Sequence, residues 1–118
     1  MAASGTITGT ITTNNRHWKI TITGVTSSSN SQLFVGKGYS NSSFVVVGGL
    51  GGATVQFQGS NDDGTTWVNI GTAIGSTPAG GTLTPNGVNY GHYQMLVIGG
   101  GGATSVTAYA DFASQNAS

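Results

Sequence analysis

Asp62, Asp63, Asp111, His17 and His92 are the side chains of this 118-residue chain best suited to proton transfer or metal binding, since it has neither glutamate nor cysteine. Four oxygen-bearing side chains cluster in Ser60-Asn61-Asp62-Asp63-Gly64, a composition that could surround Ca²⁺. An EF-hand loop would end in a bidentate glutamate, which is missing. The same residue types build Asx turns, and Asn and Asp tolerate left-handed backbone. The segment therefore reads as a turn between two strands, with no metal bound.

Other chemistries fail on spacing. Asp62 and Asp63 are adjacent and point to opposite sides if extended, so they cannot flank a glycosidic bond. His17 precedes Trp18 and His92 lies between Gly91 and Tyr93, where each reads as a polar residue entering a strand. A serine hydrolase would need a nucleophile elbow, and no Gly-x-Ser-x-Gly occurs. Gly48-Gly49-Leu50-Gly51-Gly52 and Gly99 to Gly102 could suggest a phosphate cradle, but no helix pattern and no P-loop lysine follows either. The expectation is a protein without catalytic residues or cofactor.

Aromatic side chains offer binding chemistry. Trp18, Trp67, Tyr90 and Tyr93 could form a sugar platform. Trp18 and Trp67 begin short alternating strands and are expected in the core. Tyr90 and Tyr93 flank Gly91-His92 and are the candidates for an exposed contact. Thr6-Ile7-Thr8 and Thr10-Ile11-Thr12 make only two Thr-x-Thr units, too few for an ice-binding array.

The elements that carry these residues read as strands throughout. Alternation with period two marks half-buried strands. It appears at Trp18, Ile20 and Ile22, at Val55 and Phe57 against Thr54, Gln56 and Gln58, and at Val106, Ala108, Ala110 and Phe112 against Thr107, Tyr109 and Asp111. Leu33 to Val35 and Trp67 to Ile70 add two short strands. Phe44, Val45, Val46 and Val47, like residues 93–98, are apolar runs expected where both faces are covered. Each is followed by glycines and another strand, which reads as a repeated hairpin. The prediction is a single all-β domain, an antiparallel β-sandwich or jelly-roll-like fold of about eight strands. Residues 16–118 form the sandwich and residues 1–15 an N-terminal strand or arm. That arm carries Gly-Thr-Ile-Thr twice. It is expected to pair at a sheet edge, in its own subunit or in a neighbour, with Ile7 and Ile11 as candidate contacts.

Charge narrows the partners. Charged residues are 5% of the chain and the net charge is zero, against about 25% charged in ordinary globular proteins. Three scattered cations cannot neutralise several phosphates, so nucleic acid is not expected as a ligand. No stretch is long and apolar enough to span a membrane, and the first residues lack the pattern of a signal peptide, so a soluble product of a cytoplasm is expected. An uncharged surface lacks the self-repulsion that keeps proteins apart. The 21 glycines also weaken a lone monomer, at about 0.5–1 kcal/mol for each one inside an element. Both point to a homo-oligomer, with residues 44–47 and 93–98 as the expected interface.

Residues 53–71, with Val55-Gln56-Phe57-Gln58-Gly59-Ser60-Asn61-Asp62-Asp63-Gly64 returning through Trp67, resemble a hairpin of tailed-bacteriophage virion proteins. Residues 99–112 resemble the closing hairpin of such domains. The resemblance implies a small β-sandwich that decorates an assembled capsid, as a cement protein does, often as a trimer at a symmetry axis. The implied partner is the major capsid protein or another virion protein, and the implied location is the capsid surface. A tail, fibre or receptor-binding module that recognises a host-surface glycan is the alternative.

Overall fold

The computed structural model describes residues 4–11, 17–35, 41–84 and 90–113, and the side chains of Thr10, Ile11 and His17 are outside the description. Nine strands and no helix occur among these residues. They are β1 (Thr6–Ile11), β2 (His17–Val25), β3 (Ser29–Asn30), β4 (Asn41–Gly49), β5 (Thr54–Ser60), β6 (Val68–Ile74), β7 (Ala79–Gly81), β8 (His92–Ile98) and β9 (Ser105–Ala113). One antiparallel sheet has the order β1-β2-β9-β4-β7 and the other β3-β8-β5-β6.

The alternating residues meet between the sheets. Ile20, Ile22, Val46, Val106, Ala108 and Phe112 are buried from one sheet, and Val55, Phe57, Met95 and Val97 from the other. Aromatic pairs cross the layer, with ring centroids 5.4 Å apart for Tyr93–Phe112 and 4.4 Å for Phe44–Phe57. Such offset and tilted pairs suit the ring quadrupoles. Trp18 packs against the core from its margin and covers Gly9 on the neighbouring strand, where a Cβ would collide with the indole. Its Nε1–H donates to the Val35 carbonyl at 2.8 Å.

The glycine repeats are not hairpins. β4 and β5 lie in different sheets, as do β8 and β9, so each repeat is a corner that carries the chain from one layer to the other. Glycine turns and period-two strands look alike for both connections, and only the pairing tells them apart. β4 pairs with β9 and β5 with β8, which sets the two corners side by side. Each closes with the same turn: Ala53 N–H donates to the Leu50 carbonyl at 2.9 Å and Thr104 N–H to the Gly101 carbonyl at 3.0 Å. Thr104 Oγ1 then ties the corners by donating to the Leu50 carbonyl at 2.8 Å. Gly48 has φ +101°, and a Cβ there would come within 2.7 Å of the Ser105 carbonyl oxygen. Both conformation and space therefore require glycine at that crossing.

Other expectations shift in detail. Residues 33–35 make a single bridge, Phe34 to Tyr93, while the paired strand is Ser29–Asn30. Ser31 N–H bonds the Met95 carbonyl at 2.7 Å and Phe34 N–H the Tyr93 carbonyl at 2.9 Å, so three steps on one chain oppose two on the other. Leu33 is pushed outward and is 47% exposed. β1 pairs with β2 over six consecutive residues, which makes the N-terminal arm the outer strand of its own sheet.

Candidate functional site

The outer face of the five-stranded sheet is open. Register aligns Thr8, Thr21, Tyr109, Val45 and Gly80 in one row across β1, β2, β9, β4 and β7. Tyr109 is 51% exposed and Val45 45%. The expectation that residues 44–47 are covered on both faces is therefore wrong for Val45. Nothing among the described residues crosses this sheet, and glycine opposite Val45 supplies no side chain to shield it. In the adjoining row Lys19 faces Asp111, which faces Ser43. Opposite charges on directly facing strands suit each other, so this part of the face has no net charge. A shallow depression of about 320 Å³ lies here, lined by Lys19, Thr21, Ser43, Val45, Tyr109 and Asp111.

The outer face of the four-stranded sheet is organised differently. Asn30 Nδ2 donates to Gln94 Oε1 at 3.0 Å, Gln94 Nε2 to Gln58 Oε1 at 2.8 Å, and Gln58 Nε2 to Asn69 Oδ1 at 2.9 Å. This is an amide ladder across all four strands, each inner carboxamide both accepting and donating, an arrangement in which successive bonds polarise one another. Gln94 is 6% exposed although it points away from the core. Asn30 Oδ1, at the end of the ladder, is buried without a partner among the described residues. Gln56 serves the backbone instead. Pairing of β5 with β6 slips between Val55 and Phe57, and Gln56 Nε2 donates to the Ile70 and Gly71 carbonyls at 3.0 and 3.3 Å. It thus satisfies acceptors that the irregular pairing would strand.

A third region surrounds the turn between β5 and β6. Asp62 Oδ1 accepts from Thr66 N–H at 2.7 Å and from Ser60 Oγ at 2.8 Å, and Ser60 Oγ accepts from Gly64 N–H at 3.0 Å. Hydrogen bonds from the Thr66 backbone, then from the Thr66 and Ser60 side chains, hold the Asp62 carboxyl down at about 2. Asp63 takes a left-handed φ of 58°, and its carboxylate lies 3.9 Å from His92 Nδ1. Asn61 Oδ1 accepts from Gly91 N–H at 2.9 Å. The segment is the turn between strands expected from the sequence, but Asp62 closes it four residues on, at Thr66, and not by the two-residue reach of an Asx turn.

The aromatic candidates part company. Tyr93 is fully buried and cannot be an exposed contact. Its hydroxyl accepts from Tyr90 N–H at 3.0 Å, and burial pushes its pKa up. The apolar run of β8 outweighs the looser residues before it. Tyr90 remains half-buried, edge-on to Tyr93 with ring centroids 6.0 Å apart, and covers Gly59. Trp67 is absent from the core. It precedes β6 and packs over Gly64 with Leu33, because the turn consumes the residues that would have carried it inward. Ile7 is half-buried against the core and pairs with Ile22. Ile11 pairs with Trp18 through the backbone, and its side-chain contacts are outside the described residues. Tyr109 carried a signal that the alternation did contain, since it stands on the face of β9 opposite the buried set.

No family model matches the chain, and no curated protein is similar to it. Among solved structures, the SPBc2 prophage-derived protein YomS is similar, at 13% identity and a TM-score of 0.54 over 83% of this chain and 95% of that one. Peruvianin-I, a cysteine peptidase from Thevetia peruviana latex, aligns at 16% identity and a TM-score of 0.49, over 98% of this chain and 69% of that one. At such identities the likeness to YomS shows a shared fold, and the weaker alignment carries no argument.

Proposed function

We propose that the protein is a non-catalytic structural component of a bacteriophage particle, which decorates an assembled shell through the outer face of its five-stranded sheet. The observation that carries this reading is the exposed Tyr109–Val45 pair at the centre of an open, charge-balanced sheet face. Tyrosine at the centre of a contact is a common source of binding energy, and charge is depleted there. The fold likeness to a prophage-derived protein and the sequence resemblance to phage virion proteins support the setting. A ligand that binds only the assembled shell stabilises it by mass action, and many copies, as trimers in the form the resemblance implies, would add their contributions.

Particles assembled without this protein test the proposal by add-back and co-sedimentation. The wild type binds them, and Val45→Asp, which places an unpaired charge at the centre of the face, does not. Failure of the wild type to bind overturns the virion reading, and undiminished binding by the variant overturns the assignment of the face.

A further inference from the structure

We infer that the depression beside the β5–β6 turn is a subsite for one neutral sugar ring. It has a volume of about 320 Å³ and is lined by Gly59, Ser60, Asn61, Asp62, Thr66, Val68 and Tyr90. That volume sits at the lower end of the roughly 300–1,000 Å³ of small-ligand sites. It shares no residue with the open sheet face, so it stands or falls independently of the particle-binding proposal.

The lining has the two-sided chemistry of a pyranose. Tyr90 is half-buried and Val68 is 44% exposed, and these suit the apolar C–H face of a sugar. The polar groups are already positioned before any ligand arrives. Asn61 is fixed through its Oδ1 by Gly91 N–H, which leaves its two amide hydrogens as donors. Asp62 is fixed by the Ser60 hydroxyl and by the backbone and side chain of Thr66, and a carboxylate has about four acceptor directions, of which these use three. Side chains held this way lose little entropy on binding. A donor and an acceptor on successive residues match the alternating needs of neighbouring hydroxyls.

Charge selects the ligand class. Asp62 lines the depression and Asp63, with a side chain 95% exposed, stands beside it. No lysine or arginine is among the lining residues. A uronate or another acidic sugar would bring a like charge without a cation to offset it. The ligand is therefore a neutral pyranose, free or at the end of a polysaccharide.

Titration of ¹⁵N-labelled wild-type protein with methyl glucoside, methyl galactoside, N-acetylglucosamine and glucuronate tests the assignment. At least one neutral sugar shifts the amides of Gly59, Asn61, Gly64, Thr66 and Gly91, with half-saturation in the millimolar range, and glucuronate does not. An oligosaccharide of the same sugar shifts the same amides, with equal affinity per ring if the free ring is the ligand and higher affinity if a polymer end is. Asn61→Ala weakens binding about 2- to 10-fold, the loss expected for one hydrogen bond. Because Asn61 also holds Gly91, Val68→Arg provides a second variant, which fills the depression from an exposed edge-strand position and abolishes the shifts. The assignment is overturned if no neutral sugar shifts these amides at about 100 mM, if glucuronate shifts them equally, or if Val68→Arg binds as the wild type does. Particle attachment by Val68→Arg is expected to be unchanged, which keeps the two proposals separable.

Discussion

The two outer faces of the sandwich both carry polar residues, yet only on one do those residues bond one another across every strand. On the four-stranded sheet, Asn30, Gln94, Gln58 and Asn69 satisfy one another along a continuous ladder. On the five-stranded sheet, threonines, Tyr109 and Val45 stand in register without such closure. A polar residue on a sheet face can thus be spent on the fold or kept for binding. Which applies depends on whether its length and register let it reach its neighbour. Long carboxamides span the strand spacing of about 4.8 Å and can donate and accept at once. Threonine hydroxyls reach a neighbour only where strands bring them close, as Thr6 and Thr23 do at 2.6 Å.

The largest break in this comparison comes from the ladder. Gln94→Ala removes its second member, leaving the Asn30 amide without its Gln94 acceptor and the Gln58 carbonyl without its donor. Each poorly solvated orphan costs about 1–3 kcal/mol, so the variant is expected to lose about 3 kcal/mol in urea unfolding. A loss under about 1 kcal/mol would show that the ladder is ornamental and that the two faces are alike.

The open face predicts the opposite pattern. Tyr109→Ala is expected to change unfolding stability by less than about 1 kcal/mol, since the side chain is half exposed and surface substitutions are mild. Its particle binding is expected to fall about 30-fold, corresponding to a hot-spot loss of about 2 kcal/mol. A variant that melts early and binds normally would reverse the roles of the two sheets.

The difference between the faces was only partly legible in the sequence. Alternation placed Val55 and Phe57 inward with Gln56 and Gln58 outward, and it divided Val106 to Phe112 correctly. It could not show that Gln58 lies opposite Gln94 in one direction and Asn69 in the other, because register is a property of pairs. The glycine repeats were read as hairpins for the same reason. Residues 44–47 hid an exposed Val45, since a run of apolar residues carries no periodicity to mark an open side. Ala79–Gly81 forms an edge strand with no β-branched or aromatic residue, and only its pairing with Phe44, Val45 and Val46 defines it. At the candidate site, the turn chemistry of Asp62 was legible, whereas the burial of Tyr93 depended on core contacts far away in the chain.

The smallest expected effect separates the ladder from the turn by pH. Carboxamides do not titrate, so the cost of Gln94→Ala should be the same at pH 7 and pH 3. Asp62 behaves otherwise, because its folded pKa lies at about 2 against an ordinary value of 3.8. A carboxyl with a depressed folded pKa stabilises the native state above its unfolded value, and that contribution is lost as pH falls from about 4 toward 2. Asp62 is exposed, so solvent screens the effect and the slope should be shallow. Asp62→Asn is expected to flatten this part of the pH–stability curve while changing little at pH 2, where the wild-type group is itself half protonated. Asp63→Asn is the comparison variant, since Asp63 accepts none of the turn's bonds from Ser60 or Thr66. Urea melts of the three proteins between pH 6 and 2, alongside an NMR titration of the Asp62 carboxyl, would check the assignment. If the acid slope survives in Asp62→Asn, it belongs to a group outside the turn, and the pH-independence of the ladder would have to be tested on the face itself.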